Sequence, residues 1–174
     1  HPVAAPTWWR VCWPPGGSTD VVARLLAQKL GEIWKQTVVV DNRAGAGGNI
    51  GTALVAKAAP DGHTLLMASG SIFTVNPHLY ATLPFDPKKD FAPIMNVATG
   101  PMVVAVPPSS EFRDLKGLIA KAKADPGKVN FGAPDEMTHI AMTLVSQGTG
   151  TQVTIVPYKG AGPALADLVG GHIP

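Results

Sequence analysis

Two prolines followed by two glycines, Pro14-Pro15-Gly16-Gly17, separate a short apolar run at 7–13 from a segment whose apolar residues recur at helical spacing. No other stretch constrains the fold as much. Neither proline can donate to a sheet ladder, so a strand must stop there. The glycines permit a tight turn and let another molecule approach the backbone closely. Ser18 is suited to cap a helix in which Val21, Val22, Leu25, Leu26, Leu30 and Ile33 form the apolar face. The first amides of such a helix have no internal acceptor, and the helix dipole adds partial positive charge around them. An anion, carboxylate or phosphate, is the natural occupant. The alternative is a plain βα turn whose amides face water.

The same order of strand, turn and helix recurs along the chain. After the first helix, ending near Trp34, a β-branched run at 37–40 predicts a buried strand that ends at Asp41-Asn42-Arg43. A glycine-rich loop, Ala44-Gly45-Ala46-Gly47-Gly48-Asn49-Ile50-Gly51, opens a helix through Leu54, Val55 and Ala58 that stops at Pro60-Asp61-Gly62. A third strand at 64–68 leads into Ser69-Gly70-Ser71, and 72–90 reads as irregular with a short helix. Strands are expected near 92–98 and 102–106, followed by Pro107-Pro108. The pattern then restarts, with a helix through Leu115, Leu118, Ile119 and Ala122, a strand at 128–131 and a helix at 138–147. A strand at 153–156 and a helix at 163–169 complete it. Short β-branched strands alternating with helices predict parallel sheets and an α/β fold. The Pro107-Pro108 break suggests a first lobe at 1–101 and a second at 102–174.

Composition narrows the partners. A hydrophobic fraction of 45% is ample for a core, and a net charge of +2 is too weak to argue for nucleic acid. No run of eighteen apolar residues is present, so no membrane-spanning segment is expected. The single cysteine, Cys12, precludes an internal disulfide and decides nothing about compartment. The sequence starts His1-Pro2-Val3-Ala4-Ala5 with neither a methionine nor a visible signal peptide, and reads as a mature or clipped chain.

The motifs that would indicate chemistry fail one by one. Gly45-Ala46-Gly47 begins a dinucleotide fingerprint, but its third glycine would fall at Ile50, and Ala68-Ser69 stands where an acid should bind a ribose. No glycine lies at the offset from Gly-Lys-Ser/Thr that a P-loop needs, and Gly16-Gly17-Ser18-Thr19-Asp20 has aspartate where a nucleophile elbow closes with glycine. The histidines His1, His63, His78, His139 and His172 are scattered without metal-ligand spacing. Arg43 and Lys159 each follow a strand end and either face a cleft or are solvated or ion-paired cations. Asp135 and Glu136 precede a helix, where acids are ordinary dipole partners. What is left is a set of glycine-rich loops at the C-terminal ends of parallel strands, the edge where α/β sheets bind ligands. Amides without a nucleophile, base or metal suit a receptor better than an enzyme, and no cofactor is expected. The alternative is an α/β enzyme using the same cradle for a phosphorylated or carboxylated substrate.

Three blocks, Pro14-Pro15-Gly16-Gly17-Ser18-Thr19-Asp20, Val40-Asp41-Asn42-Arg43-Ala44-Gly45-Ala46-Gly47-Gly48-Asn49-Ile50-Gly51 and Ala58-Ala59-Pro60-Asp61-Gly62-His63-Thr64-Leu65, together resemble the Bug/TctC family. Leu83-Pro84-Phe85-Asp86-Pro87, Asp90-Phe91-Ala92-Pro93 and Val156-Pro157-Tyr158-Lys159-Gly160 fit in the same order. These are periplasmic solute-binding receptors of tripartite tricarboxylate transporters. The resemblance implies a periplasmic-binding-protein-like fold, two lobes that close on a small carboxylated solute, and delivery to membrane subunits by a chain that is not itself membrane-embedded. It implies first-lobe contacts from the turn Pro15, Gly16, Gly17, Ser18, Thr19 and Asp20, from Gly47, Gly48 and Asn49, and from Ser69, Gly70 and Ser71. Trp13 stands where the family places a phenylalanine beside the ligand. From the second lobe it implies the loop between Phe131 and His139, with Ala133, Pro134, Asp135, Thr138 and His139.

Three departures accompany the resemblance. The family continues past the position of Pro174, completing the second lobe and returning to the first, so the second lobe is expected to be truncated here. Trp8, Trp9 and Trp13 load a first strand that is aliphatic in the family. The loop Gly132-Ala133-Pro134-Asp135-Glu136-Met137-Thr138 is doubly acidic where the family is rich in Gly, Ser and Asn. Two carboxylates there would repel a second anionic group, which predicts a ligand with one carboxylate and a neutral or cationic far end.

Overall fold

The computed structural model describes residues 6–173, so readings that fall on residues 1–5, His1 among them, and on Pro174 lie outside the described residues. The chain divides into two compact units, His1–Ile94 and Met95–Pro174. Both are built from parallel strands flanked by helices.

In the first unit a three-stranded parallel sheet has the order β2-β1-β3, with β1 at Thr7–Val11, β2 at Val38–Asn42 and β3 at Thr64–Met67. The register sets Val11 opposite both Asn42 and Met67, so the three C-terminal ends lie in one row. Alternation along β1 decides which layer each residue joins. Trp9 and Val11 face α1 (Ser18–Trp34) and bury against Ala23, Ala27 and Met67. Cys12 belongs to the opposite layer, with Ile72 and Phe85, beside α2 (Asn49–Ala56). The expected strand at 7–13 ends at Val11, leaving Trp13 in the turn.

The face that α1 presents to the sheet differs from the expected one. Ala23 and Ala27 are the buried residues, with Val22, Leu26 and Leu30 half-buried around them, while Val21, Leu25 and Ile33 are exposed. Small side chains let the helix lie close to the sheet, and the large residues next to them on the wheel are left on the outer side. Region 72–90 contains two one-turn helices, α3 (Ser71–Thr74) and α4 (Asn76–Leu79).

The strands expected near 92–98 and 102–106 do not form. Among the described residues, 92–106 make no backbone hydrogen bond and pair with no strand, and Ile94 and Val103 are each 78% exposed. A β-branched run becomes a strand only with a ladder partner to take up its amides and carbonyls.

In the second unit β4 (Asn130–Ala133) and β5 (Thr154–Pro157) form a two-stranded parallel sheet, Asn130 opposite Thr154 and Ala133 opposite Pro157. Three helices, α5 (Leu115–Ala124), α6 (Glu136–Thr149) and α7 (Ala161–Val169), accompany it. Its core is Phe112, Leu118, Ala122, Val129 and Met142, with Phe131 and Ile155 packed against them.

Candidate functional site

The turn from β1 into α1 is held by one buried carboxylate. Asp20 is only 2% exposed. Its Oδ2 accepts from the Gly16 amide at 2.8 Å and from Arg24 Nε at 3.0 Å, and its Oδ1 accepts from Asn42 Nδ2 at 2.9 Å. Asn42 Nδ2 also donates to the Trp13 carbonyl at 3.0 Å, and Arg24 Nη2 donates to Asn42 Oδ1 at 2.9 Å. Both ends of the turn, the Trp13 carbonyl and the Gly16 amide, are therefore tied to one network. Burial alone would raise the Asp20 carboxyl, but hydrogen bonds from Arg24, Gly16 and Asn42, with the Arg24 charge, outweigh it and hold it below the usual carboxylate range.

Ser18 is not the cap. Gly17 occupies that position with φ −75° and ψ 165°, because the Val21 amide finds the Gly17 carbonyl at 3.0 Å and the helix starts one residue earlier. Glycine has no side chain to offer, and no side-chain cap is present. The amides of Ser18, Thr19 and Asp20 are thus at the uncapped positive end of a 17-residue helix. Gly16 differs from its neighbours, since its amide already serves Asp20. Asp20 likewise has no free side-chain oxygen for a ligand, and what it presents is its main-chain N–H.

Beside this turn lies the second loop. Gly45, Ala46, Gly47 and Gly48 all have positive φ, at 127°, 48°, 60° and 88°. A Cβ on Gly48 would stand 2.7 Å from Ile72 Cδ1 and 3.2 Å from Cys12 Cβ, so this loop is laid directly against the end of β1 and the helix after β3. Thr52 Oγ1 donates to the Gly48 carbonyl at 2.9 Å and lies 3.3 Å from Cys12 Sγ. Burial pushes the Cys12 thiol up to about 11, so it is a neutral packing group at neutral pH. Asn49, 4% exposed, opens α2, whose start also lacks a side-chain cap. Asn76 donates to the Gly47 carbonyl at 3.0 Å and to Asn49 Oδ1 at 2.7 Å. At the end of β3, Ser69 Oγ and Ser71 Oγ are 2.6 Å apart, and Ser71 is buried.

All three loops expected in the first unit thus meet at one sheet edge, tied by Asn42, Thr52 and Asn76. The sequence reading missed Arg24, Thr52 and Asn76. Arg24 carried a signal, standing four residues after Asp20 on the same helix. Asn76 lies in the stretch 72–90, which reads only as irregular with a short helix. A shallow depression of about 420 Å³ lies between α1 and β2, bounded by Arg24, Gln28, Gly31, Gln36 and Thr37.

In the second unit, Ala133 ends β4 and is buried, Pro134 follows, and Asp135 is the N-cap of α6. Asp135 Oδ1 accepts from the Thr138 amide at 2.8 Å and the Thr138 hydroxyl accepts from the Asp135 amide at 3.3 Å, a capping box. His139 is exposed. With its carboxylate engaged by Thr138, Asp135 serves its own helix, which removes half of the paired-charge case for a singly carboxylated ligand. Arg43 is ion-paired to Asp41 at 3.0 Å, whereas Lys159 is exposed. No group of three or more metal-binding side chains occurs among the described residues, and no helix among them is long and apolar enough to cross a membrane.

Residues 22–174 match the family model described as tripartite tricarboxylate transporter family receptor, TctC. The chain is 44% identical to protein BugT of Bordetella pertussis over 173 residues, 98% of this chain and 53% of that protein. A solved structure described as a periplasmic transporter superposes with a TM-score of 0.89 at 42% identity, over 99% of this chain and 59% of that one. The structure of Rhodopseudomonas palustris Rpa4515 with adipate superposes with a TM-score of 0.90 at 34% identity, over 98% and 58%. The α/β architecture is therefore that of periplasmic binding proteins. The chain spans about half the length of the curated relatives it matches.

Proposed function

Since this chain belongs to the TctC family, the receptors of tripartite tricarboxylate transporters, we propose that it is a periplasmic receptor for a small carboxylated organic solute, which it delivers to the membrane subunits of such a transporter. The family is one of receptors, and the resemblance is to binding proteins rather than to enzymes. The observation that carries the reading is the uncapped start of α1 at the row of strand ends, with Asp20 turned back to close the loop instead of covering the helix amides. Anions are stabilised at such a helix start by main-chain donors and the dipole together. Gly17, Ser18 and Thr19, with Gly47, Gly48 and Asn49 and with Ser69, Gly70 and Ser71, are the first-unit contacts. The segment at the end of β4, Ala133, Pro134, Asp135, Thr138 and His139, is the second unit's own set, in which the Asp135 amide is already bonded to Thr138.

In this reading these residues hold the solute and do no chemistry on it. Delivery then depends on a conformation that the solute stabilises by its differential affinity. The relative solved with adipate supplies the first probe. Calorimetric titration of the 174-residue chain with adipate is expected to show saturable binding and adipate recovered unchanged, while adipamide, which lacks both charges, binds more weakly. Turnover of adipate, or no heat with adipate or with other small mono- and dicarboxylates, would overturn the proposal.

A further inference from the structure

Asn76 opens α4 and is completely enclosed. Its Nδ2 reaches two oxygens, the Gly47 carbonyl at 3.0 Å and Asn49 Oδ1 at 2.7 Å. The chemistry of these partners fixes the orientation of both side-chain amides. A main-chain carbonyl only accepts, so the group of Asn76 beside Gly47 has to be its NH2. The same NH2 meets Asn49, so Asn49 turns its oxygen inward, and its own NH2 lies on the opposite side of the amide. That NH2 makes no hydrogen bond among the described residues, and it is not one of the polar atoms sealed from solvent. Asn76 Oδ1, in contrast, is sealed and has no partner. An enclosed acceptor without a donor is destabilising and rare enough in native proteins to require a reason.

We propose that Asn76 is a positioning residue that locks the Asn49 side-chain amide with its NH2 outward at the start of α2, and so makes this edge select a carboxylate over its uncharged amide analogue. The inference rests on the receptor reading above and deepens it. A carboxylate has only acceptors to offer, so a locked donor favours it. A freely rotating amide would serve a carboxylate and an amide alike. The orphaned Asn76 oxygen is explained at the same time, because both hydrogens of its NH2 are already directed at Gly47 and Asn49.

The test compares adipate with adipamide by calorimetry on the wild-type 174-residue chain, Asn76→Asp, Asn49→Ala and the double variant, with thermal melting to show that each is folded. The new carboxylate at position 76 can only accept, so it draws the Asn49 NH2 inward and turns the Asn49 oxygen toward the ligand. Adipate binding is expected to weaken at least tenfold in Asn76→Asp, with a reduced preference for diacid over diamide, which a merely structural role would leave unchanged. In the Asn49→Ala background the same substitution is expected to add nothing, because the two act as one unit. Unchanged adipate affinity, or losses that multiply in the double variant, would overturn the proposal. Should Asn76→Asp not fold, Asn49→Asp keeps the inward oxygen that Asn76 needs and replaces only the outward NH2. It is expected to show the same tenfold loss, and full affinity there would overturn the proposal too. A wild-type chain that binds no carboxylate overturns the receptor reading and this inference together. A wild-type chain that binds adipate while these variants match it overturns this inference alone.

Discussion

Each unit sends its first paired strand into a helix, and each places an aspartate at that junction, yet the two aspartates do opposite things. Asp135 sits at the N-cap of α6 and accepts the Thr138 amide, closing the helix start with its own carboxylate. Asp20 sits inside the first turn of α1 and points backward, to Gly16, Arg24 and Asn42, leaving the N-cap to a glycine. One helix start has a side-chain cap, and the other is braced but has none. The comparison shows that an acidic residue near a helix start can either accept one of its amides or brace the loop that presents them.

The largest expected effect of breaking this contrast comes from Asp20→Asn. Replacing a buried, charged acceptor of three donors is expected to cost about 2 kcal/mol of unfolding free energy at pH 7, measured by urea denaturation. The sign of its pH dependence follows from the depressed carboxyl. A group whose native value lies below its unfolded value stabilises fully above the unfolded value, about 4 for aspartate, and loses that contribution as pH falls through the native value. The gap between wild type and variant is therefore expected to narrow from about pH 5 downward. Asp86 and Asp167, whose carboxyls are also lowered, are present in both proteins and cancel in the difference. A gap that stays constant down to the acid transition would show that Asp20 acts without its charge.

How much of this could be read from the sequence depends on the range of the interactions. Gly and Pro act on their own backbone, so the turn at Pro14-Pro15-Gly16-Gly17 and the stop at Pro60-Asp61-Gly62 were legible, and with them the order of strands and helices. The helix start after the two glycines was legible, although Ser18 was expected as the cap that Gly17 is. The buried face of α1 was not, because apolar periodicity marks large residues, and this sheet packs on Ala23 and Ala27. Residues 92–106 were misread for a related reason: β-branched composition states a preference, and a ladder partner decides the outcome. Asn42 and Asn76 act on partners 22 to 29 residues away, and no local pattern announces such contacts.

A smaller effect is expected from making the open helix start resemble the closed one. Gly17 already has the extended backbone of a cap, and a Cβ there would lie 3.6 Å from its nearest neighbour, the Pro14 carbonyl, an ordinary contact. Gly17→Asn and Gly17→Asp are expected to fold, with a gain of only a few tenths of a kcal/mol, since glycine is itself a fair cap. Their side chains would accept the amides proposed for the ligand, so adipate affinity is expected to drop about tenfold, near 1.4 kcal/mol, in calorimetry. Asparagine introduces no charge, so a loss shared by both variants is due to capping, and any excess for aspartate is due to repulsion. Full adipate affinity in both would remove the α1 amides from the site.

The smallest effect runs in the other direction. Asp135→Ala uncaps α6 and is expected to lower stability by about 1 kcal/mol, read as a fall in the urea midpoint. Adipate affinity is expected to stay within about twofold of wild type, because the carboxylate being removed is bonded to Thr138 and faces its own helix. Tighter adipate binding by this variant would mean that the Asp135 charge is felt by the ligand after all. The preference for a singly carboxylated solute would then return, since an acid group that the ligand feels repels a second carboxylate even when it is hydrogen-bonded elsewhere. Equal affinity leaves the difference between the two aspartates as drawn: the second unit's closes its helix, and the first unit's holds one open.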